Sequence, residues 1–284
     1  METERQTGSG TLSSGSVLPV RNTYGHGRHA SPMRVTVQHE GSDMTVHESD
    51  SDPPETSIPL QHLGIILDGN RRWARDRRLP AAAHGHRAGF SKIPEVLTWC
   101  MAFDISIVTL WMLSDDNITN RSAAELDDLY RIDEEIIAQL TETGSWRLHH
   151  IGRTELLPER LTGALHTAEQ VTRDRPGPLV NLAIGYGGRS DVLAAVRTLL
   201  QQVKDGADPD AAAERLADHL STAGQPDPDL IIRTSGEHRT SGFMLWQAAL
   251  AEWYFSDRLW PDFSRDDLAA VVDAYRTRRR RFGS

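Results

Sequence analysis

The chain contains a single cysteine, Cys100, in 284 residues. No intrachain disulfide can form, and one thiol fits a reducing compartment such as the cytoplasm. No apolar run approaches the roughly 18 residues of a membrane span. No apolar stretch follows the charges of the N-terminus, so a secretory signal is not expected. An excess of positive charge is missing as well, the formal net charge being −9. That argues against a general nucleic-acid binder, whose footprint is basic, and leaves room for a local basic pocket. There is no internal repeat. No Gly-rich loop ends in the Lys-Ser/Thr pair of a nucleotide-binding P-loop.

What remains divides in two. Residues 1–57 are rich in Ser, Gly, Thr, His and acids and poor in aliphatic side chains. Such a segment buries too little apolar surface to offset its ordering entropy, so it reads as a disordered tail ending at Pro53-Pro54. Residues 58–284 read as one folded domain. Short apolar runs predict strands at His62–Leu67, Ser106–Leu113, Trp146–Ile151, Val180–Ile184 and Asp229–Arg233, with a sixth including Trp253–Phe255. Amphipathic stretches predict helices at Ala88–Phe103, Ala123–Leu140, Pro158–Arg173, Ser190–Val203, Asp210–Leu220 and Arg265–Arg279. This alternation predicts an α/β fold: a single domain with a mostly parallel, six-stranded sheet flanked by helices. Ligands of such sheets sit beyond the carboxyl ends of the strands.

Three segments at those ends carry the chemistry. In the first, Asp68 follows a buried strand and precedes Gly69, Asn70, Arg71 and Arg72. A carboxylate there can hold a hard cation. Gly69 permits a close turn, helix-start amides favour an anion, and the two arginines offer forked donors to phosphate oxygens. The competing reading is a strand-to-helix turn with Asp68 as a cap. In the second, Ser114, Asp115, Asp116, Asn117 and Arg121 form a loop leading to a helix with Glu125. Asn120 and Ser122 are better taken as caps. In the third, Arg233, Arg239, Thr240 and Ser241 surround a glycine-containing turn, and two guanidiniums with a hydroxyl suit a second diphosphate.

The segment Asp68-Gly69-Asn70-Arg71-Arg72-Trp73-Ala74, followed by Gly85-His86-Arg87-Ala88-Gly89, resembles the opening signature of the cis-prenyltransferase family. The resemblance continues through Ser114–Asn117, Gly185–Arg189, Asp229–Glu237, Leu245–Gln247, Glu252, Trp260–Phe263 and Arg281-Phe282-Gly283, covering about residues 60–283 in order. It implies a magnesium-dependent enzyme condensing isopentenyl diphosphate with an allylic diphosphate. By the same resemblance Asp68 and Asn117 are catalytic, and Asp68 and Glu252, assisted by His238, bind Mg²⁺. Gly69 to Arg72 and His86 hold the allylic diphosphate, Trp73 lies beside it, and His84 is incidental. Ser114, Asp115, Asp116 and Arg121 line the site. Arg233, Arg239, Thr240 and Ser241 bind isopentenyl diphosphate. Arg281 to Gly283 reach the active site across a homodimer interface. Family members carry another phosphate-binding arginine where this chain reads Leu79-Pro80-Ala81-Ala82-Ala83, and Arg77 or Arg78 is the expected substitute.

The texture is similar to short-chain (Z,E)-farnesyl diphosphate synthases, with Met112 as the candidate stop to chain growth. The alternatives are a medium- or long-chain synthase, with peripheral membrane contact if the product is long, a regulatory subunit of a heteromeric enzyme, and an unrelated phosphate-binding α/β enzyme. Asp127-Asp128 and Asp133-Glu134-Glu135 read as a charged helix face.

Overall fold

Parallel strands need long crossovers, and the chain supplies them as helices. The computed structural model describes residues 59–277. The expected tail at 1–57, the end of the last predicted helix and the Arg281-Phe282-Gly283 motif lie outside the described residues. Strands β1 (His62–Ile66), β2 (Ile107–Ser114), β3 (Arg147–Ile151), β4 (Leu179–Tyr186), β5 (Leu230–Arg233) and β6 (Glu252–Phe255) form a six-stranded sheet in the order β3-β4-β2-β1-β5-β6. Every neighbouring pair is parallel. β1 is buried at every position, as expected of a central strand covered on both faces.

The α-helices are α1 (Asn70–Asp76), α2 (Ala82–Phe90), α3 (Ile93–Ala102), α4 (Asp115–Asn120), α5 (Ala123–Glu142), α6 (Glu159–Thr172), α7 (Gly188–Lys204), α8 (Pro209–Glu214) and α9 (Arg265–Arg276). The larger core cluster joins β1, β2 and β4 to α2, α3, α5, α6 and α9. A smaller one holds Ile66, Ile231, Tyr186 and Phe243, and Trp111 stacks on Phe243 at 5.0 Å.

Several predicted elements differ. The helix expected at Ala88–Phe103 is two, because Pro94 has no N–H and can sit only in a first turn, here that of α3. The helix expected at Asp210–Leu220 is the short α8, capped by Asp208, followed by a 3₁₀ turn at Leu216–His219. The second motif is a short helix, α4, and not a loop. The Ser114 hydroxyl caps it by accepting from Asn117 N at 3.0 Å. Ser122 caps α5 as expected, accepting from Glu125 N at 3.3 Å. Asn120 does not cap; it ends α4 and donates to the Asp116 carbonyl at 2.8 Å.

The chain leaves β1 for β2 on one side and later returns to lay β5 on the other. That reversal opens a crevice at the carboxyl ends of β1, β2 and β5.

Candidate active site

The crevice is a cleft of about 1340 Å³. All three motifs meet in it: Asp68 to Arg72 and His86 from the first, Ser114 to Asn117 and Arg121 from the second, Arg233 and Arg239 to Ser241 from the third. Arg75, Arg189 and the apolar Leu67, Leu79, Ala82, Met112 and Leu245 complete the wall.

Asp68 stands just past β1. Its Oδ1 accepts from Gly69 N at 2.7 Å, and its Oδ2 accepts from Arg233 Nη2 at 2.8 Å. Capping is therefore not its role; Gly69 occupies the cap position of α1. Gly69 has φ +106°, and a Cβ there would stand 3.1 Å from Leu259 Cα. Only glycine takes this turn without strain. The Arg233 guanidinium is buried. Besides Asp68 it donates to the Arg239 carbonyl at 2.6 Å and to Ser241 Oγ at 2.8 Å. It is thus the pin that joins the first and third motifs.

Glu237 makes a second bridge between those motifs, accepting from Arg72 at 2.9 Å and from Arg239. Those hydrogen bonds, Arg239 first, hold its carboxyl below the usual range. Arg72 also donates to the Ser235 carbonyl at 2.8 Å. Neither Glu237 nor Arg189 was assigned a role from sequence, although both stand inside quoted motifs. Arg75 was missed too, and its spacing of four from Arg71 on α1 was the available signal.

Helices α1 and α2 cross at Asn70. A Cβ on Gly85 would stand 2.0 Å from the Asn70 carbonyl oxygen. This closeness brings His86 to the cleft wall. His86 is 6% exposed, and neither ring nitrogen has a hydrogen-bond partner among the described residues. Burial first, then Arg121 and Arg71, lower its pKa to about 3. The ring is neutral at physiological pH and keeps one donor and one acceptor for a ligand. Arg121 is 14% exposed and lies 3.4 Å from Glu125, which also stands 3.7 Å from Arg71. Glu125 thereby orients both cations.

Other expectations need correction. Asp115 lines the cleft, but its Oδ2 accepts from Ser190 Oγ at 2.5 Å and its Oδ1 from Asp116 N at 2.8 Å, so the carboxylate ties α4 to α7. Trp73 is not in the cleft wall; its Nε1 donates to Asp262 at 2.8 Å. Arg77 donates to the same carboxylate at 2.9 Å and covers the Trp73 ring at 4.1 Å. Asp262 draws both outward, so Arg77 is no substitute for the missing arginine, and Arg78 does not line the cleft either. His84 is exposed and does not line the cleft.

Glu252 opens β6 opposite Leu230, whereas Arg233 pairs with Phe255. That puts it about 10 Å along the strands from the level of Arg233 and its neighbour Ile66, and Asp68 stands two residues farther on. His238 packs its ring on Phe255 at 5.1 Å and is not in the wall. Asp68, His238 and Glu252 therefore form no common ligand set within this chain, and no group of three or more metal-ligating side chains occurs among the described residues. Asp68 alone fits a Mg²⁺ ion, being a partly exposed carboxylate in a cationic cleft, because this ion binds through one or two carboxylates plus substrate phosphates.

Met112 owes its orientation to an irregularity. Trp111 pairs with Ala183 and Leu113 with Ile184, so Met112 is an extra residue in β2. Such a bulge re-aims a side chain. Met112 is 8% exposed and belongs both to the cleft wall and to the main core.

Comparison with known proteins agrees with this geometry. The sequence profile of the undecaprenyl diphosphate synthase family of prenyltransferases matches residues 66–283. Isoprenyl transferase 1 of Streptomyces avermitilis is 46% identical over 230 residues, covering 79% of this chain and 89% of that one. The (2Z,6E)-farnesyl diphosphate synthase of Thermobifida fusca is 46% identical over 229 residues, covering 78% and 89%. Lavandulyl diphosphate synthase from Lavandula x intermedia, solved with dimethylallyl diphosphate, superposes with a TM-score of 0.75 at 36% identity, covering 79% of this chain and 98% of that one. A sheet whose carboxyl edge gathers these motifs into one cationic cleft, with this likeness along its length, belongs to the cis-prenyltransferase family, whose members are prenyl-transferring enzymes.

Proposed function

We propose that the chain condenses isopentenyl diphosphate with an allylic diphosphate to give a short Z-prenyl diphosphate of about C15. The carrying observation is the composition of the cleft. Two groups of phosphate-binding side chains flank Asp68, the cations Arg71, Arg72 and Arg121 with the neutral His86 on one side and Arg239 with the Ser241 hydroxyl on the other, and an apolar floor opens at Leu67 and Met112.

In this reading Gly69 to Arg72, His86 and Arg121 bind the allylic diphosphate. Arg239, Thr240 and Ser241 bind isopentenyl diphosphate, and Arg233 aligns the two through Asp68. A bond forms between C4 of isopentenyl diphosphate and C1 of the allylic partner. The C1–O bond breaks, pyrophosphate leaves with the electron pair, and a proton leaves C2. The arginines stabilise charge on the departing pyrophosphate. Asp68 would hold Mg²⁺, which when bound adds Lewis-acid stabilisation of the same charge. Asn117, at the cleft wall beside Ser114, assists the proton transfer. The protein acts as a cytoplasmic homodimer.

The test is direct. Purified protein with Mg²⁺ and radiolabelled isopentenyl diphosphate is given dimethylallyl, geranyl or farnesyl diphosphate in turn, and dephosphorylated products are chromatographed. Products centred on C15 support the reading. Chains of C50 or more contradict the short-chain assignment, and no elongation with any primer contradicts the catalytic one.

A further inference from the structure

Helix α5 begins at the cleft and runs away from it. Its first turn carries Glu125, which pairs with Arg121 and Arg71 in the wall. Its inward stripe is Leu129, Ile132, Asp133, Ile136, Ile137 and Leu140. The apolar members of that stripe pack in the same core cluster as Leu67 and Met112, the two residues at which the cleft floor meets the core. In the proposed function a prenyl tail leaving the diphosphate site would enter the molecule there.

Asp133 interrupts the stripe. Among the described residues it is the one buried acid, with no exposed surface. Neither carboxyl oxygen has a hydrogen-bond partner among the described residues. Burial, then the neighbouring Glu134, pushes its carboxyl well above the ordinary range, while Arg121 draws it down. Asp133 stands about two turns below Glu125 on the inward stripe of the helix that starts at the cleft wall. A buried polar group without partners destabilises a fold, and an apolar side chain of similar size would pack better at this position. Asp133 lies eight residues beyond Glu125, about 12 Å along the helix axis. That is the depth reached by a short prenyl tail.

We infer that Asp133 is a specificity residue that limits product length: its carboxyl is a polar barrier in the wall along which the tail must grow. A hydrocarbon packed against it would meet two carboxyl oxygens that have no donor to satisfy them. Beyond it Ile136, Ile137 and Leu140 are apolar again. With an apolar residue at position 133 the stripe would be continuous from Leu129 to Leu140. The inference rests on the proposed short-chain reading and adds a second limit, separate from the side-chain block at Met112.

The experiment compares products of the full-length enzyme with its Asp133→Leu, Asp133→Val and Asp133→Asn variants, each also combined with Met112→Ala. Thermal melts establish folding. Leu or Val, whichever folds, should shift the main product upward by at least one isoprene unit, with the melting temperature unchanged or raised. Asn, which stays polar, should leave product length as in wild type. An unchanged distribution for the apolar variants in both backgrounds overturns the inference, as does lengthening by Asn equal to that by Leu. Long chains from the wild-type enzyme would instead sink the short-chain reading itself. Lengthening by Met112→Ala alone, with no effect of Asp133→Leu in either background, would leave that reading standing and remove Asp133 from it.

Discussion

Asp68 is joined to Arg233 across 165 positions of sequence, and the pair is the centre of the cleft. Asp68→Ala removes the anionic group at the departing diphosphate and leaves a guanidinium only 4% exposed without its counter-ion. The expected loss of turnover is about 10²–10³-fold, the scale of one preorganised electrostatic group. Single-turnover rates at saturating Mg²⁺ check this, and near-wild-type rates would remove Asp68 from catalysis. Met112 acts at the same scale. Met112→Ala should lengthen products while leaving the rate of the first condensation similar, because it opens the floor without touching a cation. Chromatography of products decides it. Methionine is flexible, so the wild-type block is expected to leak a minor longer product. His86 yields a stability prediction. Its folded pKa of about 3 lies below the ordinary 6.5. Below pH 6.5 the unfolded chain binds the proton and the folded one does not. The contribution is therefore complete above that value and is lost as pH falls. His86→Gln should lose less stability than wild type between pH 7.5 and 5.5, by about 1 kcal/mol. Urea melts at the two pH values measure it, and parallel losses would contradict it.

At the scale of elements, the approach of α1 to α2 positions Arg71, Arg72 and His86 together. Gly85 makes that approach possible, since the 2.0 Å between its missing Cβ and the Asn70 carbonyl oxygen involves rigid backbone. Gly85→Ala should push α1 outward at about 1–3 kcal/mol. For a domain of this size that lowers the melting temperature by roughly 3–10 °C. It should also raise the KM for the allylic diphosphate more than that for isopentenyl diphosphate, whose residues lie on the far side of Asp68. Equal changes in the two constants would show that α1 does not belong to one site alone. The turn from Leu259 to Asp262 buttresses the same region: Trp260 N donates to the Asp68 carbonyl at 3.0 Å, and Asp262 holds Trp73 and Arg77. This explains why two residues expected at the substrate point elsewhere.

At the scale of the molecule, strand order places the site. β1 lies between β2 and β5, so the ends of three strands meet where the chain reverses direction across the sheet. Much of this was legible in the chain's residues. Alternating apolar runs and amphipathic stretches determine a parallel α/β sheet, because strand and helix periods are local properties. Asp68, Gly69 and the arginines after them mark a diphosphate turn, because glycine's conformational freedom and guanidinium charge do not depend on distant partners. The positions of Glu252, Trp73 and Asp115 were decided only in the tertiary structure. Strand register sends Glu252 to the far end of β6, Asp262 turns Trp73 away, and Ser190 takes the Asp115 carboxylate. Arg233 could be seen as a cation from sequence, but not as the residue that grips Asp68. Sequence spacing specifies which face of an element a side chain occupies. Which charge it meets depends on strand order and register, set by packing between segments more than a hundred residues apart.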